Sequence, residues 1–330
     1  MKAVRTTDIL RAWKTILAGR TPSLSIEITK ECPLNCPGCY AYGHEHLGGD
    51  VVLRQVSDYK GKELVDRVIE LVDAHQPLHI SIVGGEPLVR YRELNDILPE
   101  LARRRIPTQV VTSAVREIPL EWKQFKQLQI AVSIDGLAPE HDARRTPATY
   151  DRILKNIAGH CITVHCTITR QMTERPGYLG EFVDFWSQRG EVARIWMSLF
   201  TPQIGENSCE ILPKLSRVRI VQELFELRKV YDKLDMPEGV IEGFLSPPAN
   251  PEHCIFAKTT SSFTADLKTR VAPCQFGGNP DCSQCGCMAS VGLHNIGKQR
   301  IAGAIPVAWV FNASHRVGAA VSKLRRKSAA

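Results

Sequence analysis

Apolar positions recur every second residue along Leu24-Ser25-Ile26-Glu27-Ile28-Thr29, which predicts a strand with one buried face. The same reading predicts strands over 78–83, 108–112, 128–136, 161–169 and 192–200. Between them the apolar period turns helical. Leu64, Val65, Val68, Ile69, Leu71 and Val72 repeat at helical spacing behind Ser57, a candidate N-cap. Further helices are predicted over 91–105, 149–158 and 177–188, with a weaker one near 119–127. Strands alternating with helices imply βαβ units and a parallel sheet. Six such strands, ending in candidate site residues, fit an α/β partial barrel with its site at the C-terminal strand ends.

Both ends of the chain read as amphipathic helices. In 5–20, Ile9, Leu10, Trp13, Ile16 and Leu17 repeat at helical spacing among Arg5, Arg11, Lys14 and Arg20. In 305–330, Val310, Ala313, Val317, Val321 and Leu324 do so before Lys323, Arg325, Arg326 and Lys327 close the chain. The first helix either packs over the end of the barrel or touches a membrane or hydrophobic substrate; the second either packs, stays solvated or lies on anionic lipid. A helix near 214–233 precedes a linker with Pro237-Glu238-Gly239 and Ser246-Pro247-Pro248. The expected division is 1–21 N-terminal helix, 22–205 barrel, 206–250 helical linker, 251–300 cysteine-rich extension and 301–330 basic helix.

Composition narrows the class. The chain has 330 residues, 43% hydrophobic and 23% charged, as in globular proteins. No apolar run approaches the roughly 18 residues of a membrane span, and no secretory signal is visible. Net charge is +7, a mild bias, and no aromatic-rich basic module for nucleic acid is present. Eleven cysteines fall into CxxxCxxC and CxxCxC groups, which argues for metal in a reducing cytoplasm over disulfides.

Cys32, Cys36 and Cys39 lie in a Pro- and Gly-containing loop after the first strand. Three thiolates suit a soft metal or an iron–sulfur cluster, and leave one iron of a 4Fe-4S cluster open. A zinc loop with His44 or His46 as fourth ligand is the other reading. Gly84-Gly85-Glu86-Pro87 closes the second strand. Its glycines permit close backbone approach, and its carbonyl and carboxylate can accept hydrogen bonds from an ammonium group. A plain βα turn is the alternative.

The cysteine loop and the GGEP turn, ~50 residues apart, together resemble the signature of radical S-adenosylmethionine (SAM) enzymes. That resemblance implies a partial (β/α)6 TIM-like barrel. It also implies a 4Fe-4S cluster on Cys32, Cys36 and Cys39 whose open iron binds the SAM amino and carboxylate groups. Gly84, Gly85, Glu86 and Pro87 then hold the amino group. Val132-Ser133-Ile134-Asp135-Gly136, followed by His141-Asp142 and Arg145, resembles the fourth-strand region of members with C-terminal cluster domains. There a strand-end Ser and a following Arg contact the SAM ribose and carboxylate, roles that carry to Ser133 and Arg145, with Arg144 as the alternative. An Arg suits a carboxylate because its planar fork binds bidentately. One departure stands out: many members have an aromatic residue before the third cysteine, near the adenine, where this chain has Gly38. Tyr40 is the candidate replacement. Small residues there also occur in the hopanoid-adenosylating branch.

Cys254, Cys274, Cys282, Cys285 and Cys287, with a hairpin expected between the first two, resemble the SPASM or shorter twitch extension. The resemblance implies a second, auxiliary 4Fe-4S cluster on Cys254, Cys274, Cys282 and Cys285, with Cys287 in reserve. A zinc knuckle is the alternative. Cys161 and Cys166 read as buried thiols in an apolar strand, and Cys209 stands alone.

The implied activity is reductive cleavage of SAM to a 5′-deoxyadenosyl radical, fed by a flavodoxin- or ferredoxin-type reductant, and modification of an unactivated C–H or C=C site. The expected substrate is a peptide or protein. A lipid or isoprenoid, adenosylated at the inner membrane face, is the alternative, motivated by Gly38 and the basic helical ends. A non-catalytic zinc scaffold is the reading from another class. The expected location is cytoplasmic, with peripheral membrane contact under the lipid reading.

Overall fold

The predicted alternation becomes real strands because each one turns a face of apolar residues to the helices. A computed structural model describes residues 6–49, 51–147, 149–301 and 303–328, and side chains only within 9–324. Arg5 lies outside these residues, as do the side chains of Arg325, Arg326 and Lys327.

Strands β1 (Ser23–Glu27), β2 (His79–Val83), β3 (Thr108–Thr112), β4 (Leu128–Ser133), β5 (Ile162–Ile168) and β6 (Val192–Leu199) pair in sequence order, all parallel. They are separated by α2 (Gly61–His75), α3 (Tyr91–Arg103), α4 (Ala138–Arg144), α5 (Tyr150–Asn156) and α6 (Tyr178–Ser187), behind α1 (Thr6–Leu17). This is the α/β partial barrel that the alternation implied.

Register divides the two faces. Leu24, Ile26, Ile80, Ile82, Val110, Ile130, Val132, Val164 and Ile195 face the helices and join one core with Leu64, Val68, Val72, Leu94 and Phe182. Burying each such side chain stabilises the fold by about 1.5–3 kcal/mol. The opposite, inner face carries Ser25, Glu27, Ser81, Gln109, Gln129, Ser133, Thr163, His165, Thr167 and Ser198 among the apolar Val83, Val111, Ala131 and Trp196, none of them in that core. Hydrogen bonds cross it from strand to strand: Gln129 Nε2 to Thr163 Oγ1 at 3.1 Å, and His165 Nε2 with Ser198 Oγ at 3.0 Å.

Local expectations fail where a cap or a run was weak. Ser57 is not an N-cap: α2 starts at Gly61 behind Lys60, which makes no side-chain cap. The stretch near 119–127 makes only a 3₁₀ turn, Leu120–Gln124, anchored by buried Trp122. The short helix α4 was not foreseen. Cys161 precedes β5 and is exposed, whereas Cys166 is buried as expected.

After α7 (Lys214–Val230), a short helix α8 (Glu238–Gly243) interrupts the predicted linker. The hairpin expected between Cys254 and Cys274 forms after α9 (Ile255–Thr259), as β7 (Thr260–Phe263) and β8 (Arg270–Val271). It extends the barrel sheet, because β7 pairs in parallel with β1. Beyond it lie α10 (Met288–Lys298), a two-residue ladder of β9 (Arg300–Ile301) with β10 (Ile305–Pro306), and α11 (Val307–Ser328). The two terminal helices pack on each other: Ile16, Ile255 and Phe311 form a small core, and Trp13 Nε1 donates to Ser314 Oγ at 2.7 Å. Ile9, Leu10, Trp309 and Val317 remain exposed on them. No described helix is long and apolar enough to cross a membrane.

Candidate active site at the strand ends

The chain leaves β1 at Glu27 and enters the loop that carries Cys32, Cys36 and Cys39, all half-buried. Backbone contact with the GGEP turn shapes this loop. The Glu86 N–H donates to the Glu31 carbonyl at 2.8 Å. A Cβ on Gly84 would run into the Glu27 side chain, and one on Gly85 into the carbonyls of Glu31 and Thr29. Both glycines have positive φ, so the turn needs glycine for conformation as well as space. Arg90 clamps the loop from below, pairing with Glu31 at 3.1 Å and Asp58 at 2.8 Å. Hydrogen bonds from Arg90 and Lys60 hold the Glu31 carboxyl down at about 2.

Burial pushes the Cys32 thiol up to about 11. It also raises Cys36, against the pull of the Arg145 charge. Without a metal such thiols stay protonated, so metal binding would release protons.

Glu86 is buried, and most of its acceptor capacity is already engaged. Oε1 accepts from Leu88 N–H at 2.9 Å and from the Thr112 hydroxyl, and Oε2 accepts from Ser113 N–H at 2.7 Å. Burial raises its carboxyl and these bonds oppose the rise. A carboxylate has about four acceptor positions, so one remains for a ligand donor. Glu86 therefore ties the ends of β2 and β3 together as well as facing the site.

Both arginines of α4 and its C-terminus meet Asp135. Arg144 forks onto Glu210, at 2.6 Å and 2.9 Å, and also bonds Asp135. Arg145 donates to Asp135 at 2.7 Å and to Ser113 Oγ at 2.9 Å. Arg144 is thus committed to protein carboxylates, and Arg145, near Cys36 and Glu86, keeps donors to spare. Ser133 lies at the end of β4 on the inner face, opposite His165. Asp135 and Glu210 had no assigned role in the sequence. Asp135 was visible in its motif, but Glu210 reaches Arg144 across 66 positions and has no local signal.

Glu210 also explains Gly38. A Cβ there would meet Glu210 Oε2 and stand 3.2 Å from the Phe200 ring, at φ +65°. The space beside Gly38 is filled by Phe200 and Glu210, two residues that spacing did not reveal. Gly38→Ala is expected to lower stability by about 1–2 kcal/mol from the left-handed backbone alone, and more if Glu210 is displaced. Denaturant melts measure it; an unchanged midpoint would contradict the packing. Tyr40 turns elsewhere: its ring packs on His46 at 5.6 Å and edge-on to Phe276 at 5.4 Å.

His46 does not serve as a fourth ligand. Its Nε2 bonds Glu27 Oε1 at 2.7 Å and its Nδ1 bonds the Phe276 carbonyl at 2.9 Å, so both ring nitrogens are taken. Burial pulls this imidazole down, and the Glu27 bond returns it above its ordinary value. His44 is exposed. Among the described residues no three His, Cys, Asp or Glu side chains converge on a single-ion site. A cubane spreads its thiolates over separate irons, wider apart than the ligands of one ion. Three half-buried thiols from one loop, with His46 engaged by Glu27 and Phe276, fit such a cluster.

The second cysteine group gathers as well. Cys254, Cys274, Cys282, Cys285 and Cys287 all line one cavity. Burial pushes Cys274 up to about 12 and Cys282 to about 11, and raises Cys285 and Cys287. The segment is fastened to the barrel: Leu199 N–H donates to Gly286 O, and Gly286 N–H to Thr201 Oγ1, each at 2.9 Å. Gly277 and Gly278 press on the backbone of His46 and Glu45, so the two cysteine groups are neighbours joined through Tyr40 and Phe276.

A family model described as the Radical SAM superfamily matches residues 26–159. No curated protein matches the chain in sequence. Among solved structures, SuiB of Streptococcus suis bound to the precursor peptide SuiA aligns with TM-score 0.57 at 16% identity, over 92% of this chain and 67% of that one. SuiB bound to S-adenosylmethionine gives 0.55 at 16%, over 92% and 66%. Native anSMEcpe with bound AdoMet gives 0.54 at 15%, over 92% and 97%. The chain spans about two thirds of SuiB, and at these identities the likeness is one of fold.

Proposed function

We propose that this chain is a radical SAM enzyme, a reading supported by the family match over residues 26–159, and that it modifies an unactivated C–H or C=C site in a polar substrate, a peptide or protein. The observation that carries the reading is the cysteine loop: three half-buried thiols, with both nitrogens of His46 engaged elsewhere, sealed onto the GGEP turn by Glu86 and Glu31. When bound there, a 4Fe-4S cluster and SAM supply reductive cleavage to methionine and a 5′-deoxyadenosyl radical.

The residues divide the remaining work. Cys32, Cys36 and Cys39 would hold the cluster. Glu86, with one acceptor position free, and the backbone of Gly84, Gly85 and Pro87 would receive the SAM ammonium group. Arg145, oriented by Asp135 and Ser113, would meet the SAM carboxylate, and Ser133 a ribose hydroxyl. Phe200, beside Gly38, is better placed than Tyr40 to face the adenine. The five cysteines of the C-terminal cavity would hold a second cluster with one thiol to spare. A flavodoxin- or ferredoxin-type protein would deliver the electron.

Two observations favour a polar substrate over an isoprenoid one. Most inner-face positions of the sheet carry hydroxyl, amide, carboxyl or imidazole groups, interrupted by Val83, Val111, Ala131 and Trp196. The features that motivated a lipid have structural causes: Glu210 and Phe200 crowd Gly38, and the terminal helices pack on each other. SuiB binds a precursor peptide in the structure that aligns with this chain, which supports the peptide class.

The test is metal and sulfide analysis of anaerobically purified protein, then SAM with a reductant. About eight irons with 5′-deoxyadenosine released is the expected result. About four irons with cleavage would remove the second cluster, and zinc with intact SAM would overturn the reading.

A further inference from the structure

Four arginines have guanidinium groups buried around the two cysteine groups, and three of them meet carboxylates. Arg90 has Glu31 and Asp58; Arg144 has Asp135 and Glu210; Arg145 has Asp135. Arg217 differs. It projects from α7 and is 9% exposed, and all its hydrogen bonds go to carbonyls. Nη1 donates to Phe244 O at 3.0 Å and to Cys285 O at 3.1 Å, and Nη2 donates to Gln284 O at 2.5 Å. The charged groups near it are the Cys285 sulfur and Asp281. Asp281 is engaged elsewhere, accepting from Ser283 N–H and Oγ and from Gln284 Nε2.

A buried cation without an anion costs several kcal/mol unless an opposite charge arrives. Two of the three carbonyls that Arg217 grips, those of Gln284 and Cys285, belong to the very loop that presents Cys282, Cys285 and Cys287 to the cavity. Thiolates on an iron–sulfur cluster there would bring that negative charge.

We propose that Arg217 is the charge partner of an iron–sulfur cluster in the C-terminal cysteine cavity, a positioning residue that holds the Gln284–Cys285 backbone and raises the cluster's reduction potential. This rests on the second cluster proposed above. Reduction adds an electron to an anionic group, so a nearby cation favours the reduced form more than the oxidised one. The neighbouring charge and hydrogen bonding are levers by which a protein sets such potentials.

The experiment uses the full chain carrying Cys32→Ala, which leaves only the C-terminal site to load. Iron is counted, and the midpoint potential is followed by EPR titration, in that background alone and with Arg217→Met, Arg217→Gln or Arg217→Lys. The Met and Gln variants are expected to shift the potential more negative or to lose the iron, and Lys to stay near the parent. Gln keeps hydrogen-bond donors without charge, so it carries the test if Met does not fold. A Met or Gln variant with full iron and an unmoved potential overturns the proposal. So does a Lys variant displaced as far as Gln, which would make fork geometry the cause. A parent background without iron would instead sink the second cluster itself.

Discussion

Cys32→Ala is expected to reduce 5′-deoxyadenosine release to the level of a SAM-free control while leaving the chain folded. Two thiolates cannot hold a cubane against solvent, and the two nearby histidines are poorly placed to replace the third. His46 has both nitrogens bound to Glu27 and Phe276, and His44 is exposed. The fold survives because the loop is held by groups other than its thiols: Glu86 N–H on the Glu31 carbonyl, and Arg90 with Lys60 on the Glu31 carboxylate. Circular dichroism and a thermal melt separate the two effects. Substantial 5′-deoxyadenosine from a folded Cys32→Ala chain would sink the assignment of this loop.

Asp135→Asn is expected to cost about 3–5 kcal/mol and to weaken SAM binding by roughly tenfold or more. Among the described residues Asp135 is the one carboxylate paired with Arg145; it shares Arg144 with Glu210 and accepts from Thr167 N–H at 2.9 Å. Losing its charge leaves Arg145 buried and uncompensated, and releases the side chain proposed to meet the SAM carboxylate. Acid should reproduce part of the loss. Burial alone would raise the Asp135 carboxyl, but the Arg145 and Arg144 charges hold it well below its ordinary value. Its contribution is therefore complete above the ordinary carboxylate pKa of about 4, and is lost as pH falls towards the folded value. Denaturant melts at neutral and acid pH check the sign: the Asn variant should be less stable at neutral pH and less sensitive to acid. Equal neutral stability would show that Arg145 finds its balance elsewhere.

The two arginines of α4 mark how far spacing reaches. Arg144 and Arg145 are adjacent, and the motif allowed either to meet SAM. The proposal of Arg145 rests on Glu210, which lies beyond β6 and takes Arg144 with both its oxygens. Tyr40 is a similar case. Its place next to Cys39 suggested the adenine, but Phe276 and His46 draw the ring towards the C-terminal cysteines.

By itself the sequence determined the features that a few consecutive residues can encode. Period-two and helical patterns set the six strands and most of the helices, since burial of one face follows from local spacing. The cysteine loop and the GGEP turn were legible because cluster chemistry and a tight backbone approach demand particular residues within a few positions. Tertiary structure decided whatever needed a partner brought in by chain closure. It placed β7 on the free edge of β1, where unpaired backbone groups accept any strand that arrives. It filled the space beside Gly38 with Phe200 and Glu210, engaged both nitrogens of His46, and set Arg217 to donate to backbone carbonyls. Hydrogen bonds and packing act over a few ångströms of space whatever the distance along the chain, so periodicity has no means of recording them.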